Sequence, residues 1–167
     1  MLVIDTNIIL SSLPIFIGLI ESLRWTVIVP LPVVMELDGL SSSGSPQLAE
    51  TAKSALGYIS KNLKSHSVSL KIQTSKGNYL PSLSVRTEQV DFDDQDSWDR
   101  NMDDLILRAA IWHDEHWLDR SVLLKSEGPS RDTNGACKVV LLSLDRNRKL
   151  LCYQCVGSRF IKDCINF

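Results

Sequence analysis

Long apolar runs are missing from this sequence, and a signal peptide is not expected ahead of its first apolar run at Leu2. We therefore expect no membrane span and an intracellular location, cytoplasmic and/or nuclear. Positive charge is not in excess either: 18 Lys and Arg stand against 20 Asp and Glu, for a formal net charge of −2. That balance argues against the broad basic surface of many nucleic-acid binders, but a bound cation can still supply positive charge locally. Cysteine is scarce, with Cys137, Cys152, Cys155 and Cys164 the full set. Cys152 and Cys155 form a CxxC, but no second close Cys/His pair completes a zinc set. "LLCYQCV" reads as a strand, where positions i and i+3 point to opposite faces, so these are expected to be structural, reduced thiols. No glycine-rich loop suited to phosphate binding is present, which argues against an NTPase, and no internal repeat divides the chain.

What is present is ordinary for a globular domain: 44% hydrophobic and 23% charged residues in a chain of 167. That length allows one unit, residues 1–167, with a sheet covered on both faces, expected to be part of a longer protein. "LVI", "WTVIVP", "VSLKIQT", "KVVLLSLD" and "LLCYQCV" read as strands. Between them, residues 8–23 read as an apolar loop and helix with Pro14 near the helix start. "LPVVMELDGL" is expected to be a short helix stopped at Gly39. Residues 47–63 and about 103–117 carry apolar positions at helical spacing, and residues 75–101 are expected to be irregular. Alternating strands and helices predict a three-layer α/β/α sandwich with a central, mostly parallel sheet.

Two of these strands end on a carboxylate, "LVID" at Asp5 and "KVVLLSLD" at Asp145. In open α/β sheets, ligands bind at the C-terminal edge of the strands. Glu36, in the helix after the second strand, and Asp103, at the start of the acidic helix, can face the same crevice. Each alone has a plain reading as a helix cap or strand-end residue. Together they repel one another unless a cation intervenes, and their hard oxygen ligands select Mg²⁺ or Mn²⁺.

"VIDTN", "VVMELDGL", "NMDDLIL" and "LLSLDRN", in that order, resemble the PIN nuclease domain. With "TSKGNYL" and "VRTEQ", they more closely resemble the C-terminal PIN domains of Est1/SMG-type proteins, including the endonuclease of nonsense-mediated mRNA decay. The resemblance spans nearly the whole chain and implies a metal-dependent endoribonuclease acting on single-stranded RNA. It places the metal-binding and catalytic carboxylates at Asp5, Asp103 and Asp145, with Glu36 as the additional acidic residue. Asp103 is preferred to Asp104 because "DDLI" matches the family's D-x-L-I from Asp103. Ser143 stands where a threonine is usual and keeps its hydroxyl. Asn7, Ser143 and Arg146 are the candidate substrate-binding residues, and Asn7 is also suited to fixing Asp5 or its neighbouring loop. Hydrolysis leaving a 5′-phosphate and a 3′-hydroxyl is what the resemblance implies, as are partners in RNA decay or telomere-linked assemblies.

Other features have plainer readings. Lys76, Arg86, Arg100, Arg108 and Arg148 are expected to be mostly solvated surface charges, and Trp98 either stacks on a base or packs its own loop. The acidic stretch "DFDDQDSWD", covering residues 91–99, reads as a solvated loop. His113 and His116 lack the i,i+4 spacing of a helical zinc pair and are expected on the helix surface. The competing function is a catalytically weak PIN-like scaffold that binds RNA or protein. An aspartyl phosphatase is disfavoured, because Asn7 stands where a second aspartate would be required.

Overall fold

The computed structural model describes residues 1–84, 102–116 and 139–144. The described strands are β1 (Leu2–Ile4), β2 (Val27–Pro30), β3 (Leu70–Gln73), β4 (Tyr79–Leu80) and β5 (Val140–Leu142). They form one sheet in the order β4-β3-β2-β1-β5. Every neighbouring pair is parallel except β3 and β4, which are antiparallel. The helices are α1 (Thr6–Ser11), α2 (Leu13–Glu21), α3 (Leu31–Leu40), α4 (Pro46–Asn62) and α5 (Met102–Glu115). The expected α/β sandwich with a mostly parallel sheet is therefore the observed one.

The central strands are buried on both faces, as their apolar runs require. Val3, Ile4, Val27, Ile28, Val29 and Ile72 are all fully buried. The chain moves in one direction from β1 through β2 to β3, and then returns to place β5 on the other side of β1. Where crossovers follow the usual right-handed rule, this order puts the helices between β1 and β3 on one face of the sheet, and α5 packs on α3, β2 and β5. α3 starts directly from the end of β2 and touches both α4 and α5. No described helix is long and apolar enough to cross a membrane.

Four local expectations need correction. The segment after Asp5 is helical from Thr6 and forms two helices, which break at the non-helical Ser12 (φ −153°, ψ 70°) with Pro14 in the first turn of α2. Gly39 does not stop α3, which continues to Leu40 and ends without a left-handed residue. Instead, the Ser41 hydroxyl donates to the Asp38 carbonyl at 2.7 Å, satisfying one of the helix's terminal acceptors. Within the stretch expected to be irregular, Tyr79–Leu80 pairs with β3 across a tight turn. Finally, His113 is only 4% exposed, although His116 is exposed as expected. His113 shares the buried stripe of Ile106, Ala109 and Ala110, at the spacing that brings helix residues onto one face. The proposed strand "LLCYQCV", all four cysteines, Trp98 and the acidic stretch 91–99 lie outside the described residues.

Burial has an electrostatic consequence for His113. Its imidazole is pushed down to about 4, first by desolvation and then by the positive charges of the chain's amino terminus, Lys71 and His116. The folded domain thus holds His113 neutral at pH 7. Because the unfolded imidazole titrates near 6.5, the unfolded state gains the extra proton first as pH falls. Stability from neutral His113 is complete above about pH 6.5 and is lost progressively towards pH 4. At about 1.4 kcal/mol per pKa unit, the loss approaches 3 kcal/mol. Urea midpoints measured between pH 7 and pH 5 are expected to fall more steeply for the native chain than for His113→Leu.

Candidate metal centre at the end of β1

Asp5 is where β1 becomes α1. Its backbone N–H donates to the Leu142 carbonyl of β5 at 3.0 Å, fixing the main chain against the neighbouring strand. Its side chain then turns back as the N-cap of α1, with Oδ1 accepting from the Thr6 N–H at 2.7 Å. Oδ2 accepts from the Ser143 hydroxyl at 2.6 Å. The carboxylate is 2% exposed, so these donors offset the loss of water that burial imposes. The cap reading and the strand-edge reading of Asp5 are both true of the same side chain.

Thr6 carries the next connection. Its hydroxyl donates to Glu36 Oε2, linking the first turn of α1 to the middle of α3. The sequence gives Thr6 only as part of "VIDTN", and its role as a bridge was not anticipated; only its small hydroxyl beside Asp5 hinted at it. Glu36 is half-buried on an otherwise apolar helix in which Leu31, Pro32, Val33, Val34 and Leu37 are buried. An ionisable residue on such a helix is held there by a specific polar partner.

Asn7 fastens the other side. Its Nδ2 donates to the Ser143 hydroxyl at 3.4 Å, and its Oδ1 accepts from the Leu144 N–H at 3.0 Å. The ends of β1 and β5 are therefore tied together by side chains as well as by the ladder. Asp103 is half-buried in the first turn of α5, while Asp104 beside it is exposed. α5 packs on α3, β2 and β5, which brings the helix carrying Asp103 against the helix carrying Glu36.

Asp5, Glu36, Asn7 and Ser143 are thus joined in one hydrogen-bonded group through Thr6. Asp145 and Arg146 follow Leu144 directly but lie outside the described residues. Among the described residues, no group of three or more His, Cys, Asp or Glu is spaced to hold a metal ion. The donors present are nonetheless of the right kind: carboxylate and hydroxyl oxygens, with no sulfur or imidazole in the group. Such a set suits Mg²⁺ or Mn²⁺ better than Zn²⁺.

Comparison with known proteins bears on the family of the chain. A PIN domain family profile matches residues 2–154. The chain is also similar to the telomerase-binding protein EST1A of Danio rerio, with 29% identity over 160 residues covering 89% of this chain and 10% of that protein. It is 31% identical over 130 residues to the transcriptional protein swt1 of Schizosaccharomyces pombe (strain 972 / ATCC 24843), covering 75% of this chain and 24% of that protein. The matched region therefore spans about a tenth and a quarter of these two relatives.

Proposed function

Since the chain belongs to the PIN domain family, we propose that it is a Mg²⁺- or Mn²⁺-dependent endoribonuclease that hydrolyses single-stranded RNA. The observation that carries this reading is the buried Asp5 carboxylate, held by the Thr6 N–H and the Ser143 hydroxyl and linked through Thr6 to Glu36. Asp5, Glu36, Asp103 and Asp145 would hold the cation, directly or through water. When bound, the cation neutralises these carboxylates and the charge that develops on the phosphoryl oxygens.

The chain's own groups have separable duties. Ser143 and the Thr6 N–H orient Asp5, and Thr6 Oγ1 fixes one oxygen of Glu36. Glu36 Oε1 then orients the attacking water and accepts its proton. Water oxygen bonds to phosphorus as the P–O3′ bond breaks, and the departing O3′ takes a proton from a solvent water, leaving a 3′-hydroxyl and a 5′-phosphate. Asn7 holds the Leu144 N–H just past β5; Asp145 and Arg146 follow in the sequence, and Arg146 would contact a substrate phosphate. Single strands suit such a site because their unpaired segments are accessible. EST1A is named for binding telomerase and swt1 as a transcriptional protein. By extension, we place this domain inside the cell, in the cytoplasm or nucleus, within an RNA-decay or telomere-linked assembly and as one unit of a longer protein.

One observation favours a second reading. Asp5 already has a structural task as the cap of α1, so its presence is accounted for without turnover. A scaffold that binds RNA or protein is the alternative. The deciding experiment incubates labelled single-stranded RNA with the domain and Mn²⁺ or Mg²⁺, beside EDTA and Asp103→Asn controls. Internal cleavage lost in both controls is expected. Intact RNA with a folded domain in either metal would favour the scaffold.

A further inference from the structure

Among the described residues, two buried side chains outside the carboxylate group have polar atoms with no partner. Gln73 is fully buried, and neither its Nε2 nor its Oε1 makes a hydrogen bond; His113 Nε2 is buried and equally unpaired. Such atoms are uncommon in folded proteins and normally signal a partner.

The sheet register places these groups in one layer. Lys71 and Gln73 are two residues apart on β3 and so share a face. Tyr79 lies directly opposite Gln73 across the antiparallel pair, which puts its side chain on that same face. The Tyr79 ring meets the His113 ring with centroids 6.1 Å apart, while the Lys71 ammonium lies 4.5 Å from the Tyr79 centroid. Gln73 and His113 are therefore both buried in the layer between the β3–β4 edge and α5.

We propose that this layer is a hydration site, holding at least one ordered water between the Gln73 amide and His113 Nε2. A direct bond between the two side chains would pair one amide atom with Nε2 and leave the other amide atom unpaired. Water, with two donors and two acceptor positions, can serve both residues, and buried waters typically make about three hydrogen bonds. Neutral His113 fits this role because its Nε2 can either accept from water or donate to it. The water anchors the C-terminal half of α5 to the sheet. Through the helix, Gln73 and His113 act as positioning residues for Asp103; this last consequence rests on the nuclease reading, whereas the site itself does not.

A crystal structure of the native chain at about 1.5 Å tests the site directly. Water density within roughly 3.2 Å of both the Gln73 amide and His113 Nε2 is expected. A direct Gln73–His113 bond, or a Gln73 amide turned to solvent, would overturn it. Amide hydrogen exchange in Gln73→Leu tests the anchoring without reference to cleavage. Exchange in α5 is expected to quicken at least tenfold relative to β1, and unchanged exchange would refute the anchoring. If anchoring holds but no metal binds, the nuclease reading fails alone. If metal binds, Gln73→Leu is expected to weaken Mn²⁺ affinity roughly tenfold, the lower end of supporting-residue effects.

Discussion

Replacing Asp5 with asparagine is expected to reduce Mn²⁺-dependent RNA cleavage at least about 100-fold, the upper end of what even supporting residues of metal sites cost, while leaving the domain folded. Asparagine is as good an N-cap as aspartate, so its Oδ1 can still accept from the Thr6 N–H. The Ser143 hydroxyl now donates to Asp5 Oδ2, and it can instead accept from the new amide. Only the negative charge is removed, together with the stronger part of two charge-assisted bonds. The stability loss should therefore be about 1 kcal/mol. Asp5→Ala separates the two duties. It removes the cap as well, costing about 1 kcal/mol more, and deprives the Ser143 hydroxyl of its buried acceptor. Calorimetric titration with Mn²⁺ and thermal melts on both variants distinguish the effects. If Asp5→Asn cleaves at the native rate, Asp5 is a cap and nothing more.

Gly77→Ala is expected to be the most destabilising small substitution among the described residues. Gly77 closes the turn between β3 and β4, donating to the Thr74 carbonyl at 3.0 Å, and has φ +87°. Non-glycine residues adopt such a backbone at a cost of about 1–2 kcal/mol. A Cβ there would also lie 2.1 Å from Trp112 Cε2 and 2.4 Å from Cζ2. The indole cannot easily withdraw, because His116 stacks on it at 4.4 Å and His113 meets it edge-on at 5.3 Å. Overpacking of this kind adds roughly 1–3 kcal/mol, for a combined loss near 3 kcal/mol. For a chain of this size, that corresponds to a Tm lower by about 10 °C. A double-mutant cycle with Trp112→Ala should recover the clash portion and leave the backbone portion. If the two variants prove additive, the contact between the turn and α5 is absent in solution.

The readings that held were those with a strong local cause. Apolar runs ending at Asp5 and Pro30 marked β1 and β2, and the spacing of Ala52, Ala55 and Ile59 marked the buried face of α4. The order of short motifs indicated the family, and the matching profile bears that out. β4 was missed because two residues are too few to show alternation, and its pairing depends on a turn in which Gly77 has φ +87° and leaves no room for a Cβ beside Trp112. His113 was misplaced for a different reason. Its spacing from Ile106 was visible, but a polar residue on an apolar stripe was assigned by its chemistry when its neighbours should have decided. At the candidate site, Asp5, Glu36, Asn7 and Ser143 were legible from the motifs. The bridge through Thr6 was not, because a hydroxyl's partner thirty residues away depends on how α3 packs.

The seam between β1 and β5 also bears on when the centre can exist. β1 is made before β5, yet Asp5 and Asn7 take bonds from Ser143 and Leu144, 138 and 137 residues later in the chain. Contacts so distant in sequence close slowly and only after most of the polypeptide is present. β1 can pair with β2 soon after both are made, but the carboxylate stays without its hydroxyl donor until β5 arrives. A nascent or C-terminally truncated chain thus carries the early residues of the centre without its assembled geometry. Synthesis and docking of β5 become the step that completes the candidate centre.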